Sequence, residues 1–208
     1  SSIIRRLPIR LTYEENYFTT KYQGVPKHGY TKLIENMLDG IDVKLNEDFY
    51  NIPKWQNIAN HLVYTGPIDK FFKYEFGRLE YNTLRFEHKV FTGDYQGNAV
   101  FNHVDLSTPY LRSIEHKHLQ KNQQKHYDHK IETKESTVVS FDHPVSFAEN
   151  PEPYYPIRDE TNSILYSKYF KLKKDLSNIT FGGRLGEYKY LDLDASMSSA
   201  IQKAQKLI

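Results

Sequence analysis

The chain has 208 residues, with 28 Lys and Arg against 26 Asp and Glu and no cysteine. A chain of that length buries one sizeable core, or one core with an appended subdomain, and its near-balanced charge argues against a surface that tracks nucleic-acid phosphates. The missing cysteines exclude a disulfide framework, a thiolate nucleophile and a Cys-ligated zinc; no apolar run is long enough to span a membrane, so a cytoplasmic location is the default expectation. Seventeen Tyr and 12 Phe stand against a single Trp, and tyrosine joins an apolar face to a hydroxyl, which suits nucleotide and sugar sites as well as ordinary cores. The chain starts at Ser1 and reads as a piece of a longer protein.

In chain order, residues 1–12 set Arg5, Arg6 and Arg10 around the helix-breaking Pro8, a mobile basic loop or, more plainly, a solvated basic terminus. Residues 13–26 are aromatic and polar, with turn residues at Gly24 and Pro26, and read as strand or loop. Tyr30, Leu33, Ile34, Met37 and Leu38 fall on one helix face that Gly40 stops, and Ile41, Val43 and Leu45 then alternate as a strand. His61–Tyr64 reads as a short strand that enters Thr65-Gly66-Pro67 and a helical turn through Phe72. From Tyr81 to Phe141 the character becomes antiparallel β. Leu84, Phe86, His88 and Val90 alternate with Arg85, Glu87 and Lys89, and further strands are expected near 97–104, 110–118 and 135–141. Residues 119–135 are polar and charged, an exposed connection.

Three prolines stiffen Pro151–Arg158, after which Asp159 or Thr161 caps a helix carrying Ile164, Leu165, Tyr169, Leu172 and Leu176. A β-prone run, Ile179–Phe181, then enters Gly182 and Gly183, where a backbone without Cβ atoms can bend sharply and approach a ligand closely. Tight packing of an ordinary strand-turn-helix explains the glycines equally well. Arg184, Tyr188, Tyr190 and Asp192 crowd the following turn, and a buried helix is expected from about Asp194, its positive amino end toward the glycines. The glycine order is not the G-x-G-x-x-G fingerprint. These elements describe an α/β (α+β) fold: strand-helix units over 1–80, an antiparallel insertion over 81–150, and a return to the strand-helix layer over 151–208.

Nine histidines raise the question of a metal, above all His116 with His118 on one strand face and His126 with His129 in the polar connection. Neither pair has the carboxylates or thiolates that complete a site, so no metal is expected. Strand alternation sets Tyr110, Arg112 and Ile114 on one sheet face, and an arginine among apolar residues needs an anion, either a structural carboxylate or a phosphate.

Seven blocks carry a resemblance: LPIRLTYEENYF, YQGVPKHGYTKLIENML, YTGPIDKFF, YQGNAVFNHVD, TPYLRSIEHKH, EPYYPIR and ITFGGRLGEYKYLDLD. In that order, over nearly the whole chain, they resemble UDP-galactopyranose mutase; Glu14-Glu15 stands where that family commonly has two aspartates. The resemblance implies a partial FAD-binding α/β layer with an inserted antiparallel β-sheet. It implies a non-redox isomerisation of UDP-galactopyranose to UDP-galactofuranose on reduced FAD, through a flavin N5–sugar adduct. By motif, Arg6 and Arg112 match two arginines that clamp the diphosphate. Tyr17, Tyr155 and Tyr190 match tyrosines that donate to it, Asn102 and Asp192 match residues beside the sugar, and Gly182, Gly183 and Arg184 match the cofactor-facing turn.

The G-x-G-x-x-G unit, the histidine beside the flavin and the uracil-gripping helices have no counterpart here. The resemblance therefore implies a carboxyl-terminal portion that alone neither retains FAD nor turns over UDP-galactose; its partners would be UDP-galactose or UDP and the missing amino-terminal part, with a homodimer left open. Two other classes compete: the end of an amine-oxidase-like FAD oxidoreductase, which has no use for a diphosphate clamp, and a non-catalytic nucleotide or carbohydrate module, which would bind ligand by itself.

Overall fold

The computed structural model describes residues 11–13, 20–52, 54–119 and 135–207. The chain divides into two compact units, the first reaching to Val43 and the second holding nearly everything from Lys44 on. In the first unit α1 spans Gly29–Met37, where the periodicity predicts it. None of its residues is buried, and Leu38 closes it by donating to the Ile34 carbonyl at 3.0 Å. The strand expected over Ile41, Val43 and Leu45 does not form. Gly40 and Asn46 both take positive φ, at 75° and 59°, so the extended stretch between them is cut short at each end; the Ile41 amide turns back to the Leu38 carbonyl at 2.9 Å, and among the described residues no strand pairs with the stretch.

In the second unit β1 (Leu62–Tyr64) and β7 (Ile179–Phe181) lie parallel, Leu62 beside Ile179 and Tyr64 beside Phe181. Parallel strands need cover on their faces. Here α2 (Ile68–Phe71) and α4 (Glu160–Lys173) join them in a cluster of Tyr64, Ile68, Leu79, Tyr81, Tyr169, Phe181 and Tyr188. The Asp159 carboxylate caps α4 by accepting the Asn162 amide at 2.7 Å. Tyr169 is fully buried, and its hydroxyl donates to the Gly77 carbonyl at 2.6 Å while accepting the Phe76 amide at 3.1 Å. Tyr188 takes the left-handed φ of 45° and sends its hydroxyl to the carbonyls of Glu80 and Ile157, at 2.6 and 2.7 Å. Gly186, in the helical turn α5 (Gly183–Gly186), passes so close to β1 that a Cβ there would lie 2.9 Å from the Tyr64 carbonyl oxygen.

The antiparallel sheet has five strands in the order β3-β4-β5-β2-β6. They are β2 (Tyr81–Thr92), β3 (Val100–Asn102), β4 (Arg112–Glu115), β5 (Ser136–Val145) and β6 (Tyr155–Pro156). Ten consecutive pairs hold β2 to β5 without a bulge, from Thr83 with Val145 to Thr92 with Ser136. The register therefore fixes which residues share a face. One face carries Phe91, Tyr95, Tyr110, Phe141 and His143 in mutual ring contact; the other carries Asn82, Phe86, His88, Arg112, Asp142 and Tyr155.

Two sequence expectations about this sheet need correction. Tyr110 does not share a face with Arg112, because β4 begins only at Arg112 and Tyr110 turns to Phe141 and His143 at 4.7 and 5.7 Å. His116 and His118 do not extend a strand either; they lie in the helical turn α3 (His116–Leu119). The terminal helix α6 (Leu193–Ala204) forms near its expected start but is not buried. Leu193 and Ile201 stay 51% and 59% exposed, and α6 is tied on by polar contacts to Glu187, which accepts from Lys203 Nζ at 2.7 Å and from Ser199 Oγ at 3.2 Å. The fold is thus mixed α and β with an inserted antiparallel sheet.

Candidate functional site

The cross-strand row on the polar side of the sheet starts at Asn102, which pairs with Arg112, which pairs with Asp142, which pairs with Phe86. Directly paired residues project to the same face, so the row is set by backbone register before any side chain is placed. Arg112 Nε donates to Asn102 Oδ1 at 3.2 Å and stands 4.0 Å from Asp142 Oδ2. Among the described residues nothing accepts from the two terminal nitrogens of this guanidinium, and its side chain is about half exposed. Asp142 is 5% exposed, and among the described residues its Oδ1 has no hydrogen-bond partner. Burial pushes its carboxyl above the ordinary range, while Arg112 and the histidines at 143, 116 and 88 pull it back.

Asp142 is the structural carboxylate that an arginine on this face calls for, and the sequence reading missed it. The strand alternation of SFDHP held the signal, since it sets Asp142 on the polar side between aromatic and histidine neighbours that face the other way. Two residues along the same strand, Ser140 Oγ lies 2.7 Å from His88 Nδ1 and 2.5 Å from His116 Nε2. The row thus continues as a line of polar groups.

On the same face Tyr155 of β6 pairs with Asn82, at the end of β2 nearest the tyrosine core. Its ring stacks on that of Tyr190 at 5.6 Å and 28°, and the Arg184 guanidinium carbon lies 5.2 Å from the Tyr155 ring centre and 4.8 Å from that of Tyr190. Such contacts suit a cation over electron-rich ring faces. Arg184 is aimed by the turn that carries it, its Nε donating at 2.6 Å to the carbonyl of Leu191, next to the start of α6. Burial pushes the Tyr190 hydroxyl up, its bond to Asp192 adds to this, and Arg184 opposes it; the phenol stays a neutral donor. Gly182 and Gly183 lead into this turn. A Cβ on Gly182 would meet the Lys203 side chain at 3.9 Å, and Gly183 takes φ +71 beside Thr65; Gly182 is buried and Gly183 half-buried, so the turn is free of side chains but covered by its neighbours.

The structure therefore unites Arg184, Tyr155, Tyr190 and Asp192 in one group and Arg112 and Asn102 in another, on one sheet face that includes Tyr155. Arg6 and Tyr17 lie outside the described residues. So do His126 and His129, whereas His118 joins Asp94 and Glu115 on the sheet's edge, their ligand atoms within 4.8 Å of one another. The Lys117 ammonium lies 3.4 Å from Glu115 and 3.5 Å from Asp94, and His118 Nε2 lies 3.4 and 3.2 Å from them, so His118 does have carboxylates beside it, which the sequence did not disclose. Guanidiniums whose terminal nitrogens have no acceptor among the described residues, neutral phenols and a turn of two glycines form a chemistry suited to an anion with several oxygens and a flat neighbour.

The sequence model of UDP-galactopyranose mutase matches residues 1–190. Among curated proteins, a probable UDP-galactopyranose mutase of Klebsiella pneumoniae is 40% identical over 210 residues, covering all of this chain and 52% of that protein. A dTDP-fucopyranose mutase of Escherichia coli is 37% identical over 216 residues and a UDP-galactopyranose mutase of Mycoplasma genitalium 38% over 225, with all of this chain and 55% and 53% of those proteins covered. The chain thus spans about half the length of these relatives.

Proposed function

The chain belongs to the UDP-galactopyranose mutase family, and from that premise we propose that it is the carboxyl-terminal portion of a flavin-dependent mutase, an isomerase that interconverts UDP-galactopyranose and UDP-galactofuranose without net oxidation. The observation that carries this reading is the shared sheet face of Asn102, Arg112 and Tyr155, with Arg184 against the Tyr155 ring. In this reading Arg112, with Arg6 from the amino-terminal stretch, clamps the diphosphate as it departs, where fixed guanidiniums favour developing negative charge. Tyr17, Tyr155 and Tyr190 donate hydroxyls to it. Asn102 and Asp192 meet the sugar, and Asp142 holds the Arg112 side chain in place through its charge.

The turn at Gly182 and Gly183, which carries no side chains and has Arg184 beside it, would hold one side of a flavin. Bound in reduced form, FAD supplies the nucleophile for the anomeric carbon. Residues 1–80 and 151–208 then contribute to the cofactor layer, and 81–150 form the inserted sheet. The rest of the cofactor's cradle would come from the other half of the full-length protein, so these 208 residues alone neither retain FAD nor turn over. Product would feed cell-surface polysaccharide synthesis from the cytoplasm; among the described residues no helix is long and apolar enough to cross a membrane.

The test is turnover by the full-length protein with reduced FAD, offered UDP-galactopyranose and, because the Escherichia coli relative bears that name, dTDP-fucopyranose. Ring contraction of UDP-galactopyranose is expected. Oxidation of an amine without contraction of either sugar would replace the proposal with the oxidoreductase reading, and a yellow, active preparation of the 208-residue chain would refute its incompleteness.

A further inference from the structure

Ser140 Oγ stands between two imidazoles, 2.7 Å from His88 Nδ1 and 2.5 Å from His116 Nε2. They reach it from different elements: His88 is its cross-strand partner on β2, and His116 opens α3. A hydroxyl has one hydrogen, so in the neutral state Ser140 donates to one ring and accepts from the other. A proton added to the accepting nitrogen makes it a second donor to the same oxygen, which has two lone pairs to receive both. The pair can thus gain a positive charge with both contacts kept.

The place of the pair decides what that charge does. Ser140 lies two residues from Asp142 on β5, a strand step of about 7 Å, and Asp142 faces Arg112 across the register of β4 on β5. Charge on the histidines reaches the Asp142 carboxyl, which they and Arg112 draw back toward its ordinary range. Without ligand the row is balanced, Arg112 against Asp142. A diphosphate on Arg112 leaves it with an excess of negative charge. The other charged groups nearby are turned elsewhere. Arg85, Glu87 and Lys89 alternate onto the opposite face with His143, and Lys117 and His118 turn to Asp94 and Glu115. Arg184 and Asp192 stand at the far end, by Tyr155 and Tyr190. Among the described residues, His88 and His116 are therefore the groups beside this row that can change charge near neutral pH.

We infer that the Ser140-bridged histidines take up a proton from solvent when a nucleotide diphosphate settles on Arg112, so that binding is tighter on the acid side of neutrality. The two rings act through their charge and need not touch the ligand. This rests on the reading that Arg112 holds the diphosphate.

Calorimetry of UDP-galactose binding to the full-length protein, with its flavin oxidised, tests the linkage. The diphosphate of that ligand is esterified at both ends, so its own charge stays constant between about pH 6 and pH 8, where a terminal phosphate titrates. Titrations in buffers of different ionisation enthalpy should show uptake of about half a proton near neutral pH, with affinity about fivefold higher at pH 6 than at pH 8. In the double variant His88→Asn, His116→Gln the amides can still bond to Ser140 but hold no extra proton. Uptake should vanish there, while the melting temperature holds and affinity at about pH 8 stays within about twofold of the parent's. His143→Gln, on the opposite face, should leave the uptake intact. Binding by the parent without proton uptake overturns the inference and leaves the diphosphate reading standing, as does uptake that survives in the folded double variant. Binding that Arg112→Ala leaves at full affinity overturns both.

Discussion

The cluster around Tyr169 and Phe181 and the interior of the five-stranded sheet are both buried, but they are made of different residues. In the first, rings and aliphatic chains make up the cluster, the hydroxyls of Tyr169 and Tyr188 end on backbone carbonyls, and the buried Asp69 beside it accepts the Leu79 amide. In the second, Thr83, Ser113, Glu115, Thr137, Ser140, Asp142 and His143 are all buried around Val139 and Phe141. The tyrosine cluster draws its stability from removing ring area from water, a term indifferent to small shifts in angle. The sheet interior depends on hydrogen bonds and charge, which are lost over fractions of an ångström. Mutations should therefore act gradually on one and abruptly, with a pH signature, on the other.

The strongest expected effect is on the apolar side. Phe181→Ala removes a ring in contact with Tyr64, Phe71 and Phe72 and should cost about 3–5 kcal/mol in chemical denaturation. A loss under about 1 kcal/mol would mean the cluster collapses freely and the contrast is unfounded.

Glu115→Gln attacks the polar side while keeping its shape. The carboxylate accepts the amides of Tyr95 and Gln96 at 3.1 and 2.8 Å and pairs with Lys117, so losing its charge should cost about 2 kcal/mol. Burial by itself would raise the Glu115 carboxyl, but the Gln96 and Tyr95 amides and Lys117 outweigh it and hold the group below its usual 4.5. A depressed native value means the stabilisation is complete above that usual value and is lost as pH falls through the native one. Melting followed from pH 6 downward should show the parent falling toward the variant. Parallel curves would remove Glu115 from the account.

Arg112→Ala tests the open face of the same sheet and should weaken UDP binding to the full-length protein by about 1.5–3 kcal/mol. Unchanged UDP affinity would reduce Arg112 to a partner of Asp142. Tyr188→Phe returns to the tyrosine cluster, where losing two bonds to carbonyls but no packing should cost about 1 kcal/mol in a denaturant series. The smallest effect belongs to the first unit. Lys32 and Glu35 form an exposed pair at 3.2 Å on α1, and Lys32→Ala should move stability by no more than about 0.5 kcal/mol.

The two regions also differ in how far the sequence disclosed them. The apolar spacing of Leu165, Tyr169 and Leu172 marked α4, and Asp159 marked its cap, because helix period and capping are local. The twelve-residue strand β2 was legible from alternation alone. Residues 41–45 alternate equally well and form no strand, since a strand also needs an edge to pair with, and that is a tertiary fact. For the same reason α6 could be located but its burial could not. On the site side, motif order drew attention to Arg112, Tyr155, Tyr190 and Arg184. Alternation along SFDHP sets Asp142 and Ser140 on one face, but the register of β4 on β5 is what puts Arg112 opposite Asp142, and that is a tertiary fact.

Gly186 has a bearing on how the chain can change. The Tyr64 carbonyl that a side chain there would strike is also the acceptor, at 3.0 Å, for the Gly182 amide. One oxygen thus gauges the gap on two sides, and anything wider than a hydrogen at 186 would push β1 off the very turn that presents Arg184. Alanine is therefore closed at this position, and Gly186 holds the strand-to-turn spacing on which the placing of Arg184 depends.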